Sequence, residues 1–194
     1  MKLNLPTALT WLRIVVIPLL LAVYPLPPEW LSLEGRNLVA MGLFVGAAVT
    51  DWLDGWLARK LHQTSTFGAF LDPVADKLLV AAALIVLVDI ERTSAWIAAV
   101  IIGREIAISA LREWMARLGH SRNVAVNLLG KIKTVAQMIA IPMLLFNDPL
   151  FGVSMQTTGS VLIVIAAILT LVSMGYYLRL ASPQLQSVDH DERA

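Results

Sequence analysis

Asp51-Trp52-Leu53-Asp54-Gly55-Trp56-Leu57-Ala58-Arg59, followed by Gly68, Asp72 and Asp76, places four carboxylates in a short span of a very apolar chain. Asp51 and Asp54 are three residues apart and Asp72 and Asp76 four apart, so each pair shares a face if its segment is helical. The stretch from Lys60 to Phe67 is polar, with His62, Gln63, Thr64, Ser65 and Thr66, and can turn the chain. Two antiparallel helices then gather four carboxylates around one point. Like charges so close repel unless cations neutralise them. Carboxylate oxygens are hard ligands, which favours Mg²⁺, Mn²⁺ or Ca²⁺ over zinc, and the chain has no cysteine.

The surrounding chain is hydrophobic at 58% of its 194 residues, with a mean hydropathy of +0.73. That exceeds what a soluble domain of this length needs, and predicts one all-α integral membrane domain. The net charge of +1 offers no basic field, so no nucleic-acid partner is expected. Lys2 precedes an apolar run from Ile14 to Tyr24 that lacks a small-x-small cleavage site, so this segment reads as a retained first helix.

Six spans of about 20 residues, the length that crosses a bilayer, can be drawn. They are Thr7–Tyr24, Leu38–Arg59, Phe67–Val88, Ser94–Met115, Ala125–Phe146 and Thr157–Leu178. Together they predict a six-helix bundle over residues 1–182, followed by a polar, flexible tail at 183–194. Pro18 and Pro142 interrupt spans one and five, which membrane helices tolerate. Five spans carry charge, and in an up-and-down bundle all of it falls on one side. Arg13, the four aspartates with Arg59, Lys77, Arg104, Glu105, Arg112, Glu113, Lys131 and Lys133 cluster there. Charges inside spans are costly and line water-filled cavities, so a polar chamber opens on one membrane face. Lys2, Arg59, Lys60, Arg117, Arg122 and Arg179 flank that face, whereas Arg36 and Arg92 opposite are offset by acids. The positive-inside rule then makes the chamber and both termini cytoplasmic.

Individual residues have plainer readings too. Pro73 could be the first-turn proline of a helix that Asp72 caps. Gly55, Ala58 and Gly68 leave room for a nucleotide or phosphate, or else for close helix packing. Arg104 and Arg112, eight apart, share a helix face about 12 Å long. With Lys131 they could bind an anion. Lys133 points about 200° from Lys131 and is left to snorkel toward lipid headgroups. Pairing of Arg104 with Glu105 is disfavoured because helical neighbours do not face each other. Arg13 lies within span one, from where snorkelling could still reach the interface. The six tryptophans fall near span ends and read as belt anchors.

The run D-x-x-D-G-x-x-A-R, then G-x-x-x-D-x-x-x-D, resembles the CDP-alcohol phosphatidyltransferase family, and Asp51, Asp54, Gly55, Ala58, Arg59, Gly68, Asp72 and Asp76 fill every fixed position. The resemblance implies that Asp51, Asp54, Asp72 and Asp76 ligate Mg²⁺ or Mn²⁺, as two ions, with Asp76 also the catalytic base. It assigns the CDP moiety to Asp51, Gly55, Ala58, Arg59, Gly68 and Thr10. Asn4 to Arg13, Phe67 to Lys77, Gly103 to Trp114 and Gly130 to Thr134 are similar, more narrowly, to the branch that makes phosphatidylglycerophosphate. That branch implies CDP-diacylglycerol as donor and glycerol 3-phosphate as acceptor, whose phosphate would meet Arg104, Arg112 and Lys131. It also implies a homodimer in the lipid of a bacterial inner membrane. An alternative acceptor such as serine would keep the metal site but not need these extra cations. A cation transporter would need a polar path through both halves of the bundle, and the outer half of every span is free of charge.

Overall fold

The computed structural model describes the backbone of residues 5–61, 66–117 and 128–191. The side chains of 5–7, 54–59, 61, 66, 67, 69, 116, 117, 128, 129, 131 and 180–191 lie outside that description. Six helices follow one another: α1 (Leu5–Val23), α2 (Leu33–Leu61), α3 (Thr66–Asp89), α4 (Ala95–Arg117), α5 (Leu128–Phe146) and α6 (Met155–Asp191). Element number and order agree with the sequence reading. α2 starts earlier than expected, and α6 continues as helix into the stretch read as a tail. α3 starts well before Asp72, with Pro73 inside it, so Asp72 is not the cap of this helix.

One end of the bundle is closed by well-formed helix termini. Ser32, Ser94 and Ser154 each accept a bond at the side-chain oxygen from the backbone N–H three residues on, opening α2, α4 and α6. α3 ends with Glu91 in the left-handed region (φ 58°), while Arg92 N–H reaches the Leu87 carbonyl at 2.8 Å and Glu91 N–H the Val88 carbonyl at 3.1 Å. That is a Schellman ending made without glycine. Phe151 and Gly152, both at positive φ, form a tight two-residue turn between Leu150 and Val153. Arg92 then clips this end together. It donates to the last-turn carbonyls of α5 at Leu144 (3.1 Å) and Leu145 (2.7 Å), and to Asn37 Oδ1 of α2 (2.8 Å). A cation on a helix C-terminus satisfies orphan carbonyls and opposes the helix dipole favourably.

α1 packs against α2 and α3, α5 against α6, and α4 bridges α3 and α6. The apolar core, with Leu20, Phe44, Leu84, Leu87, Ile101, Ile141, Leu144 and Ile163, fills the half of the bundle toward the clipped end. The outward faces are apolar as well: Val15, Leu19, Ile85, Ile106, Val161 and Ile168 are all exposed. A helix apolar all round suits lipid rather than water on its outer face. Among the described residues, Met155–Arg179 is the one stretch both long and apolar enough to cross a membrane by composition alone, while α1 and α5 carry shorter apolar runs at Ala8–Val23 and Ile132–Phe146. α2, α3 and α4 carry their charges inside the helix.

The α5–α6 contact leaves no room at Gly159, where a Cβ would lie 2.9 Å from Leu144 Cγ and 3.2 Å from Met143 Cβ. Gly159→Val is expected to destabilise the fold by about 1–3 kcal/mol through overpacking. The thermal unfolding midpoint of the purified protein in detergent should fall, and an unchanged midpoint would show that α5 and α6 part easily.

Candidate active site

At the open end of the bundle three helices meet on one side chain. α1 presents Thr10 and Arg13, one turn apart on one face. α2 brings Asp51 near its end, and α3 brings Asp72 and Asp76, four apart, as their spacing requires. Arg13 is fully buried. Its Nη1 donates to Asp51 Oδ1 at 2.7 Å and to Asp76 Oδ1, while Nη2 lies 3.6 Å from Asp72 Oδ1. Thr10 Oγ1 donates to Asp72 Oδ1. The three carboxylates are about two-fifths exposed, at 44%, 42% and 39% of their side-chain surface, so they face outward from a buried cation.

The structure brings Asp51, Asp72 and Asp76 together as the sequence spacing predicts, and places Arg13 between them, which the sequence reading missed. Arg13 does not snorkel; it is the centre of the cluster. The corrective signal was there, since a charge one turn after Thr10 within an apolar span demands a partner. Asp54, Gly55, Ala58 and Arg59 continue the same stretch of α2, but their side chains lie outside the described residues. Gly68 is buried at the start of α3.

Among the described contacts, three carboxylates against one guanidinium leave a formal charge of −2. Such a donor set is all oxygen, partly open and under-neutralised, which fits a hard divalent cation. With the guanidinium at their centre, no three acids or histidines among the described residues close into a cage on their own.

Asp76 also faces a second space. A cavity of about 290 Å³ opens between α3, α4 and α5, lined by Asp76 and Lys77 on one side and by Arg104, Glu105, Ser109, Arg112, Thr134 and Gln137 on the other. Arg104 is buried. Its Nη2 donates to Ser173 Oγ at 2.9 Å, its Nη1 to Glu105 Oε1 at 3.3 Å, and its Nε has no hydrogen-bond partner among the described residues. A buried donor left uncommitted beside a cavity is where a ligand oxygen would be accommodated. Arg112 Nη2 donates to the Tyr177 hydroxyl at 3.1 Å. The ring of Tyr177 also stands between the two arginines, 5.6 Å from Arg104 Cζ and 5.2 Å from Arg112 Cζ. Cation–π contact of this kind holds guanidinium planes in place.

Two expectations on this wall are overturned. Lys133 is buried and paired with Glu105 rather than reaching lipid headgroups, because an acid of α4 stands inward within its reach. Arg104 and Glu105 do touch, since long side chains can bend toward each other although their Cβ atoms diverge. Lys131 lies on α5 with its side chain outside the described residues. Tyr177 and Ser173 went unnoticed because the span Thr157–Leu178 carries no charge to draw attention to it. Their signal was spacing: Thr170, Ser173 and Tyr177, three and four apart, form one polar stripe along an apolar helix, and all three are buried.

The model of the family described as CDP-alcohol phosphatidyltransferase matches residues 3–172. The chain is 48% identical over 188 residues to a CDP-diacylglycerol–glycerol-3-phosphate 3-phosphatidyltransferase of Salmonella choleraesuis (strain SC-B67), spanning 95% of this chain and 98% of that one. Proteins of the same name from Escherichia coli (strain K12) and Shigella boydii serotype 4 (strain Sb227) match at the same identity and coverage. The aligned length takes in the aspartate cluster on α1–α3 and the arginine wall on α4–α6 alike, so the chain belongs to the CDP-alcohol phosphatidyltransferase family.

Proposed function

We propose that this chain transfers the phosphatidyl group of CDP-diacylglycerol to the primary hydroxyl of sn-glycerol 3-phosphate, giving phosphatidylglycerophosphate and CMP. One observation carries the reading: Asp76, Arg104 and Arg112 line the same cavity. A proton acceptor and an anion cradle therefore share one small space, as an acceptor bearing both a hydroxyl and a phosphate requires. The names of the relatives supply the donor and acceptor.

In this scheme Asp51, Asp54, Asp72 and Asp76 hold Mg²⁺ or Mn²⁺, as two ions. When bound, such ions neutralise the diphosphate and polarise the phosphorus–oxygen bond that breaks. The chain's own groups do the rest. Arg104, Arg112 and Lys131 take the acceptor phosphate and orient the far hydroxyl toward Asp76. Asp76 accepts its proton as the oxygen attacks the β-phosphorus, and the bond to the CMP oxygen breaks with its electron pair leaving on CMP. Phosphoryl transfer asks chiefly for positioning and charge neutralisation. Gly55, Ala58 and Gly68 give the CDP moiety room beside Arg59 and Thr10.

We place all six helices across a bacterial inner membrane, with both termini and the site on the cytoplasmic side. The apolar outward faces and the basic flank of the open end support this. A lipid donor could then reach the site sideways from the bilayer. The homodimer implied by the family belongs to the same proposal.

The test is an acceptor panel with purified protein and CDP-diacylglycerol. CMP release is expected with glycerol 3-phosphate and not with serine, inositol or glycerol. EDTA should abolish it, and Mg²⁺ or Mn²⁺ should restore it. Turnover with another alcohol would replace the acceptor while keeping the metal reading. Metal-independent turnover would overturn the role given to the aspartates.

A further inference from the structure

We infer that Arg13 is the internal counter-ion of the carboxylate site: it holds Asp51, Asp72 and Asp76 together while no cation is present, and it competes with an incoming cation for them. The inference rests on the reading that these aspartates are metal ligands. It concerns a residue of α1 that lies outside the aspartate motif.

Three features of the geometry lead here. First, Arg13 is completely buried while each acid it touches is partly open. A buried guanidinium without partners is prohibitively costly, so this side chain is committed to the acids and not to solvent. Second, the contacts use the shape of the group. Nη1 serves Asp51 and Asp76 while Nη2 faces Asp72, so one planar fork reaches acids from two helices. A lysine, with a single nitrogen, could not span them in the same way. Third, Arg13 is the point where α1 joins α2 and α3 through charge, with Thr10 adding a hydroxyl to Asp72 one turn earlier.

Without a neutralising charge, three carboxylates this close would repel strongly enough to spread the helix ends. The Arg13 guanidinium, set between them, offsets that repulsion. The same charge has a second effect. A divalent cation arriving at the outward side of these acids meets the repulsion of a resident positive group behind them. Cation binding is then weaker than the bare acids would give, and the site stays assembled when the cation leaves.

The experiment reads binding and melting, not turnover. Wild type and Arg13→Gln are purified in detergent with Mn²⁺, and unfolding midpoints are recorded in EDTA and along a Mn²⁺ titration. Free Mn²⁺ is followed in parallel by electron paramagnetic resonance. Arg13→Gln should melt earlier in EDTA and reach half-saturation at a Mn²⁺ concentration lower by about tenfold or more, given the strength of a unit charge at contact distance. Arg13→Lys should fall between the two, keeping the charge but not the fork. If Arg13→Gln survives only with Mn²⁺ present, the counter-ion role is supported, and the tightening is then read from Arg13→Lys against wild type. Equal or weaker Mn²⁺ binding in the variants, with wild type binding normally, would overturn the inference and leave the metal reading intact. No Mn²⁺ binding by wild type would instead overturn the metal reading itself, and the inference with it.

Discussion

Asp76→Asn should leave a folded protein whose CMP release is slower by roughly 10²–10⁴-fold, the contribution of a positioned general base. The reason lies in the double exposure of this carboxylate. It touches Arg13 on one side and lines the cavity with Arg104 and Arg112 on the other, so it alone among the three described acids borders both spaces. Asparagine keeps the shape and can still accept a bond from Arg13, while Asp51 and Asp72 remain as its charged partners. Folding should therefore survive, with a melting midpoint close to wild type. The loss should appear in kcat, and the KM for glycerol 3-phosphate should change little, because the phosphate is held elsewhere. Single-turnover CMP release with both substrates saturating is the decisive measurement. A kcat within about tenfold of wild type would remove Asp76 from the proton-transfer role.

Arg112→Gln should produce the opposite pattern. Loss of a charge-assisted contact to the acceptor phosphate is worth about 1.5–3 kcal/mol. That corresponds to a rise of roughly 10–150-fold in the KM for glycerol 3-phosphate, with the KM for CDP-diacylglycerol unchanged. Arg112 is the informative choice because it is exposed, whereas Arg104 is buried against Ser173 and its removal would disturb α6. Tyr177→Phe makes a useful companion, since it removes the hydroxyl that accepts from Arg112 and keeps the ring between the two guanidiniums. A milder rise in the same KM is expected from it. If Arg112→Gln slowed turnover equally at all acceptor concentrations, the phosphate would bind elsewhere and the cavity wall would need another role.

The parts of this molecule that could be read from sequence are those with a short period. The pair Asp72/Asp76 announces its face by spacing alone, and the breaks at Asp89–Thr93 and Asn147–Gln156 carry turn residues that the structure uses at Glu91, Asn147 and Gly152. What escaped were partnerships across helices. Arg13 with three acids, Lys133 with Glu105 and Tyr177 with two arginines join residues far apart in the chain, and no local pattern says which distant group will answer a given charge. Lys133 is the clearest case. Helical geometry turns it about 200° from Lys131, but that spacing does not say which direction is inward, and Lys133 meets Glu105 rather than lipid. The helix ends of α2 and α6 were misjudged for a simpler reason. Polar residues can extend a helix beyond its apolar stretch, so hydropathy marks the apolar segment and not the hydrogen-bonded one.

The position of Asp76 also divides the chain by role. Residues on α1, α2 and α3 gather the aspartates, while α4 contributes Arg104 and Arg112 across the cavity, held from behind by Ser173 and Tyr177 of α6. Only the short Asp89–Thr93 connection joins these two stretches of sequence. A lineage could therefore exchange one alcohol for another by rewriting its second half, a few side chains at a time, while the first half kept its chemistry untouched.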